Sequence, residues 1–353
     1  MTSPVRRYGF INAKLRARLS KLLSDEVFKR LIAAVTLEES FGILRSTPYD
    51  TLEDLYNKSG DLKAGELDLF TREIGLYSEL RKYVSGDLLH VINSLLVYYE
   101  TENLKNAVRV YFDARVRGGS ADEGVRYLYK ERIVSDLPFE EIARAEDIDS
   151  ILRLVSDTPY STVFEENREA IAETLFTFEI GLDRFYYSNL MSSIEPLGTR
   201  DRKTAMRLFG IEIDLLNINW IIRFKTYYDL PADRALSLAF PHGATIGMKE
   251  LRDAYAAQDV TALLHGVIRK KYPALATLLS TEAADIFSRL LLIERLLEQI
   301  LLYEVRKILS GYPFTIGILL AYFILYKNEI RLVRKILNAR LYGLPGERMR
   351  GML

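Results

Sequence analysis

The sequence predicts an all-α protein, and three observations support this fold class. Apolar residues recur at three- and four-residue spacing along most of the chain, which is typical of one face of an α-helix. The sequence contains neither sustained two-residue alternation nor an Asn-Gly or Asp-Gly dipeptide, which are the usual signals of strands and hairpins. Only 10 prolines interrupt the 353 residues, so long helices can form.

Capping signals predict where individual helices begin. Thr36 with Glu39, and Thr162 with Glu165, have the spacing of capping boxes, so we expect a helix to start at each. In the internal repeat described below, the acidic run 146–149 (Glu-Asp-Ile-Asp) aligns with residues 36–39, the first of these two helix starts. It is therefore interpreted as a helix cap, because acidic side chains complement the helix dipole there.

Glycine and proline predict the breaks between helices. Residues 118–120 (Gly-Gly-Ser) form the clearest joint, and residues 239–245, with a proline and a glycine, form the second. In the last long helix, Pro313 is expected to open the helix and Gly343 to close it.

The composition limits the possible function classes. A chain of 353 residues is long enough for two or three domains or for one large repeat body. The 48 Lys and Arg balance 48 Asp and Glu, which argues against a nucleic-acid binder that depends on bulk positive charge. Because there is no cysteine, disulfides, a thiolate nucleophile and a cysteine zinc site are excluded.

Hydropathy predicts no membrane-spanning helix and no secretory signal peptide. The longest apolar run, 316–326, has eleven residues, whereas a helix needs about 20 to cross a bilayer. The charged N-terminal stretch lacks the apolar segment of a signal peptide.

An internal repeat is the most informative feature of the sequence. The segment 46–49 (Ser-Thr-Pro-Tyr) recurs as 157–160 (Asp-Thr-Pro-Tyr), and 70–76 (Phe-Thr-Arg-Glu-Ile-Gly-Leu) recurs as 176–182 (Phe-Thr-Phe-Glu-Ile-Gly-Leu). A third motif has an acid, an asparagine three residues later and an arginine six residues after that. Its members are Glu100, Asn103 and Arg109 in the first copy, and Asp214, Asn217 and Arg223 in the second.

The repeat predicts three helical units. A third copy is expected from about residue 247, where 251–273 resembles the helix pair before each Thr-Pro-Tyr, and 328–331 weakly resembles 102–105. The predicted domains are therefore 1–117, 118–238 and 239–353, since self-similarity at a fixed period indicates stacked units.

Each repeated motif has a structural interpretation and a less favoured functional one. Pro48 and Pro159 should end a helix, and Tyr49 and Tyr160 should then bury a ring and satisfy a hydroxyl; ligand binding is the alternative. The acid and the asparagine share a helix face with apolar residues, so they should bind each other or a neighbouring helix's backbone. A catalytic carboxylate is the alternative.

Two further expectations concern the arginine and the glycine of these motifs. Arg109 lies on the opposite side of the helix from Glu100, so it should have a different partner. Gly75 and Gly181 fall within helical patterns, where glycine costs about 1 kcal/mol relative to alanine. We expect another helix to approach closely at both glycines.

Enzyme signatures are missing from the sequence. It has no phosphate-binding loop, no dinucleotide fingerprint and no nucleophile elbow. His90, His242 and His265 lack metal-ligand spacing. We therefore expect no catalytic residue, metal, cofactor or small-molecule substrate. An all-α lyase or synthase that uses Asp147 or Asp149 remains an alternative.

Several segments together resemble one known family. They are the N-terminal run 8–17 (Tyr-Gly-Phe-Ile-Asn-Ala-Lys-Leu-Arg-Ala), Leu44 with 47–49, 102–109, 311–317 (Gly-Tyr-Pro-Phe-Thr-Ile-Gly), 321–331 and 343–352. In this combination and order they resemble the central-stalk C subunits of V/A-type ATPases, whose eukaryotic vacuolar homologues are the d subunits. The chain departs from the family pattern at Ile318, where proline is frequent, and at Asn328, where an acid is common.

The resemblance implies both a fold and a role. It implies a funnel-shaped body of three units around a pseudo-threefold axis, which sits on the cytoplasmic face of the membrane without inserting into lipid. It implies the D and F shaft subunits and the proteolipid ring as partners, with no nucleic acid. The role implied is a non-catalytic rotating coupler between ATP turnover and H⁺ or Na⁺ transport. The alternative is a helical scaffold for another protein.

Overall fold

The computed structural model describes residues 3–173, 175–226, 228–257 and 286–344, together with residues 266, 269 and 270. In this part of the chain all regular structure is helical and no β-strand occurs, which confirms the all-α prediction. No helix within it is long and apolar enough to cross a membrane. His265, most of the segment 251–273 and the end of the segment 343–352 lie outside the described residues.

The chain divides into two compact units. Unit 1 combines Met1–Ile43 with Gly198–Leu353, and unit 2 is Leu44–Leu197. The first and last parts of the chain therefore belong to one unit. The division into 1–117, 118–238 and 239–353 rests on the sequence repeat and stays a prediction.

Unit 2 is built around one long helix. Its helices are α4 (Thr51–Ser59), α5 (Leu62–Leu80), α6 (Asp87–Val116), α7 (Ala121–Val125), α8 (Phe139–Arg144), α9 (Ile148–Val155), α10 (Ser161–Glu166), α11 (Arg168–Glu173) and α12 (Phe176–Ile194). The 30-residue α6 packs against α12 and α8. The contact buries Leu104 and Val108 of α6 with Ile142 of α8 and Phe178 of α12.

Unit 1 joins the two ends of the chain. Its helices are α1 (Pro4–Leu19), α2 (Asp25–Ala33), α3 (Leu37–Leu44, which ends at the unit boundary), α13 (Thr199–Thr226), α14 (Ala232–Ser237), α15 (Met248–Ala256), α16 (Ile286–Leu309) and α17 (Gly317–Leu341). α13 packs against α16 and α17, and α1 packs along α17. The rings of Phe209 and Phe323 meet edge to face in this core.

One predicted helix start is confirmed and another is wrong. The Glu39 N–H donates to Thr36 Oγ1, and Glu39 Oε2 accepts from the Val35 N–H, so this pair caps α3. Thr162, in contrast, lies inside α10, which already begins at Ser161. The reason is the Thr-Pro-Tyr corner, because Tyr160 is the N-cap and its carbonyl already accepts from the Phe164 N–H.

The acidic run 146–149 begins a helix, as expected. Asp147 is the N-cap of α9, and its Oδ1 accepts from the Ser150 N–H at 2.8 Å. Hydrogen bonds from Ser150 hold the pKa of this carboxyl below its ordinary value. The side chain therefore has an ordinary structural role at the end of a helix.

The ends of α17 differ in how well the sequence predicted them. Gly343 follows the C-cap with φ of +66°, and the Leu344 N–H bonds the Ala339 carbonyl, which confirms the predicted stop. The helix does not open at Pro313 but at Gly317. Tertiary bonds hold the intervening turn, since Asn12 Nδ2 donates to the Pro313 carbonyl and the Ile316 N–H donates to Asp201 Oδ1.

The two repeated glycines have different surroundings. A Cβ on Gly181 would lie 3.0 Å from Asn167 Nδ2 and 3.2 Å from Val163 Cγ1, so α10 approaches closely there as expected. Gly75 has no such neighbour, and a Cβ would meet nothing within 4 Å. The prediction of a close approach at Gly75 is therefore wrong, because no side chain of another helix reaches that point of α5.

We expect Gly75→Ala to raise the free energy of unfolding by about 1 kcal/mol, which is the difference in helix propensity. Gly181→Ala should give no such gain, because Asn167 and Val163 must move to admit the methyl group. Urea unfolding of both variants beside the wild type measures the difference. An equal gain from both would contradict the packing role of Gly181.

Candidate functional site

Glu100 is a fully buried carboxylate on α6 with three hydrogen-bond donors. Its Oε2 accepts from the Val134 and Ser135 N–H groups at 2.7 and 2.6 Å. Its Oε1 accepts from the Tyr160 hydroxyl at 2.9 Å. A buried charge is tolerated only when it is hydrogen-bonded in this way. Glu100 therefore holds the segment that leads into α8 and the corner that precedes α10.

Asn103 lies one turn after Glu100 on the same face of α6. Its Nδ2 donates to the Tyr129 carbonyl at 2.8 Å, and its Oδ1 accepts from the Tyr129 N–H at 3.0 Å. The side-chain amide thus both donates to and accepts from the backbone of a single residue. Both polar residues bind the backbone of a connecting segment, and neither binds the other.

The second copy has the same arrangement in unit 1. Asp214 accepts from the Thr245 and Ile246 N–H groups at 2.8 and 3.2 Å. Asn217 pairs with both backbone groups of Phe240, at 2.9 and 2.7 Å. The segment 239–245 therefore does not act as a free joint, since α13 bonds it at several points.

A third carboxylate completes the series. Glu329 on α17 is buried and its Oε2 accepts from the Leu23 N–H at 2.6 Å. It follows Asp214 by 115 residues, and Asp214 follows Glu100 by 114. Each acid binds the connection that leads into another helix, which is α8 for Glu100, α15 for Asp214 and α2 for Glu329. For the third acid that helix comes from the beginning of the chain.

Sequence reasoning missed Glu329 because it placed the third copy in another register. The comparison of 328–331 with 102–105 put Glu329 opposite Asn103, whereas the structure puts it opposite Glu100. The asparagine that would have corrected the register is absent, since Leu332 stands at the matching position. The constant spacing of the acids was the signal that could have found it.

The two motif arginines have different surroundings. Arg109 Nε bonds Glu179 Oε1 at 2.7 Å, so it has a partner other than Glu100, as predicted. This contact joins the third motif of the first copy to the second motif of the second copy. Arg223 is exposed, and its guanidinium lies 5.5 Å from the ring centroid of Trp220.

Both Thr-Pro-Tyr segments form corners. Thr47 Oγ1 and Thr158 Oγ1 donate to the carbonyls of Leu44 and Val155, the last residues of the preceding helices. Pro48 and Pro159 are exposed, whereas Tyr49 and Tyr160 are buried. The sequence therefore predicted the helix ends and the buried rings correctly. It could not identify Glu100 as the partner of the Tyr160 hydroxyl.

A buried lysine that the sequence did not single out lies between α6 and α12. Lys105 Nζ is 2.8 Å from Glu102 Oε1 and 2.5 Å from Asp183 Oδ1. Burial by itself lowers the pKa of this ammonium group, but the two carboxylates outweigh burial and hold the pKa above its ordinary value. Lys105 is therefore charged at neutral pH and ties the two helices together.

This arrangement is suited to holding segments together rather than to chemistry. Both carboxylate oxygens of Glu100 are occupied by protein donors, which leaves no free oxygen to act on a substrate. In the described part of the chain, no group of three or more His, Asp or Glu side chains could hold a metal ion. In the residues that the structure describes, the arrangement thus defines an all-α protein in which buried acids at nearly constant spacing bind backbone.

Comparison with known proteins identifies the family to which this all-α chain belongs. Residues 11–352 match the family described as ATP synthase (C/AC39) subunit, and the chain belongs to this family. It is therefore a stalk subunit of a rotary ATPase and not a catalytic one. This family is the one that the sequence motifs indicated.

Relatives that are named as the C subunit of A-type ATP synthase match almost the whole chain. The protein of Methanocaldococcus jannaschii is 22% identical, covering 98% of this chain and 86% of the relative. That of Methanothermobacter thermautotrophicus is 24% identical, with 98% and 87% covered. That of Thermococcus kodakarensis is 25% identical, with 96% and 88% covered.

We expect Asn103→Leu and Asn217→Leu each to lower the free energy of unfolding by about 1–3 kcal/mol. Each change leaves a backbone N–H and C=O of the connecting segment without their partner. Thermal melts measure the effect, and Asn57→Leu, at an exposed position of α4, is the matched control. A melt that is unchanged in both variants would rule out this role of the asparagines.

Proposed function

We propose that this protein is the rotor coupler of a V/A-type ATPase. It joins the shaft made by the D and F subunits to the membrane proteolipid ring. Rotation then links ATP hydrolysis or synthesis to H⁺ or Na⁺ transport. Membership of the ATP synthase (C/AC39) subunit family carries this proposal.

The acid contacts support the mechanical part of the proposal. A piece that transmits torque must resist bending, and long helices do so only when their connections are held. Glu100, Asp214 and Glu329 each bond a long helix to a connecting segment. Buried, charge-assisted bonds of this kind are stronger than neutral ones.

We extend the proposal to the architecture and the location. The three units 1–117, 118–238 and 239–353 are placed around a pseudo-threefold axis in a funnel, peripherally on the cytoplasmic face of the membrane. The acid spacing of 114 and 115 residues supports three equivalent units. Glu100, Asn103, Arg109, Asp214, Asn217 and Arg223 are proposed as structural signature residues, together with the two Pro-Tyr corners.

A binding experiment tests the coupler. The tagged full-length protein is incubated with purified D–F complex and, separately, with detergent-solubilised proteolipid ring. We expect both to be retained. Retention of neither, or of only one, by protein with an intact helical circular dichroism spectrum would contradict a bridge between shaft and ring. The scaffold alternative would then be favoured.

A further inference from the structure

Three segments of unit 1 that are far apart in sequence meet on one surface. They are residues 3–18, 198–203 and 309–314, and they are referred to here as the basic surface. The Tyr8 hydroxyl donates to Asp201 Oδ2 at 2.5 Å, and Arg16 Nη2 donates to the Leu309 carbonyl at 3.2 Å. The Arg200 guanidinium lies 4.6 Å from the ring centroid of Tyr312, which links the second segment to the third.

The charge of the basic surface is unbalanced. Its three segments contain eight Lys and Arg but one acid, whereas the whole chain is neutral. The eight are Arg6, Arg7, Lys14, Arg16, Arg18, Arg200, Arg202 and Lys203. The single acid, Asp201, is engaged by the Tyr8 hydroxyl and the Ile316 N–H. The basic surface therefore presents mainly positive charge to the solvent.

Apolar side chains are exposed among these cations. Val5, Phe10 and Tyr312 keep 54%, 50% and 43% of their surface accessible. On α1 the outward side carries Arg6 and Phe10, and Lys14 Nζ lies 5.9 Å from the Phe10 ring centroid. Basic residues interspersed with aromatic and aliphatic ones are typical of surfaces that lie on a bilayer.

We propose that the basic surface binds the anionic headgroups of a phospholipid bilayer, with the protein resting on the headgroup layer. Its cations lie on two separate elements, five on α1 and three at the start of α13, which suits mobile lipid phosphates better than one extended acidic peptide. Clusters of four to eight Lys and Arg are the usual composition of such surfaces. The inference rests on the proposed function only in that the latter places the protein at a membrane.

Vesicle sedimentation with the full-length protein tests this inference. Phosphatidylcholine vesicles are compared with vesicles that also contain phosphatidylglycerol. We expect sedimentation with the anionic vesicles only, and release at high salt. Replacing three cations, in the variant Arg6→Gln, Lys14→Gln and Arg200→Gln, should weaken partitioning roughly 100-fold.

A matched control carries three changes on unit 2. Lys58→Gln, Lys82→Gln and Arg126→Gln remove the same charge from exposed positions there and should leave partitioning nearly unchanged. Circular dichroism checks that both variants are folded. Equal loss in both variants, or equal binding to neutral vesicles, would overturn the inference. Binding to polyglutamate without binding to vesicles would also overturn it, in favour of an acidic protein partner.

The outcome is independent of the coupler experiment. The vesicles contain neither the D–F complex nor the ring, so absent vesicle binding together with retention of both partners contradicts only the lipid inference. Vesicle binding without retention of either partner contradicts only the coupler.

Discussion

Replacing Glu100 by leucine should cost about 3–5 kcal/mol of unfolding free energy. The change leaves the Val134 and Ser135 N–H groups and the Tyr160 hydroxyl without their acceptor. Each stranded buried donor costs about 1–3 kcal/mol. Urea unfolding followed by circular dichroism measures the total. Hydrogen exchange at the Val134 and Ser135 amides measures the local effect.

Two further variants make this result specific. Glu100→Gln keeps a carbonyl acceptor without the charge, so its loss should be intermediate. Glu165→Leu, at an exposed position of α10, controls for the change from carboxylate to leucine and should have little effect. Unchanged exchange at the two amides in Glu100→Leu would show that Glu100 does not hold this segment.

The second large effect is expected from Lys105→Met, at about 2–4 kcal/mol. Methionine fills the space but leaves Glu102 and Asp183 without the cation that they share. Breaking a buried ion pair by removing one partner is strongly destabilising, and the partial exposure of both carboxylates reduces this cost. Lys58→Met, at an exposed position of α4, is the matched control.

The pH dependence distinguishes this effect from lost packing. In the wild type the pKa of Lys105 is raised on folding, so its contribution is fully present below about pH 10.4 and is lost as the pH rises through the folded value. In Lys105→Met the penalty should shrink as the pH falls, because burial raises the pKa of Asp183 and the lost Lys105 charge no longer opposes that shift, so this carboxyl is protonated more readily. A penalty that stays constant from pH 7 to pH 4 would indicate packing alone.

Local sequence was sufficient for the helices and for most of their ends. The three- and four-residue periodicity predicted the fold class. Thr36, Asp147 and Gly343 marked helix ends, because caps and left-handed glycines act within a few residues of themselves. Where a distant residue intervenes, local signals failed. Pro313 did not open α17, since Asn12 and Asp201 hold the turn that follows it.

The repeat also identified polar residues that later proved to be buried. Glu100, Asn103, Asp214 and Asn217 were found because polar side chains recurred on apolar faces at nearly constant spacing. Tertiary structure alone decided what they bind, which is backbone in connecting segments 23 to 35 residues away along the chain and, for Glu100, also the Tyr160 hydroxyl. It also decided the role of Glu329, the pairing of Lys105 with Asp183 and the difference between Gly75 and Gly181. The physical reason is the distance along the chain over which each interaction acts. Helix formation depends on neighbours within about four residues, whereas hydrogen-bond partners depend on which distant segments the folded core brings into contact.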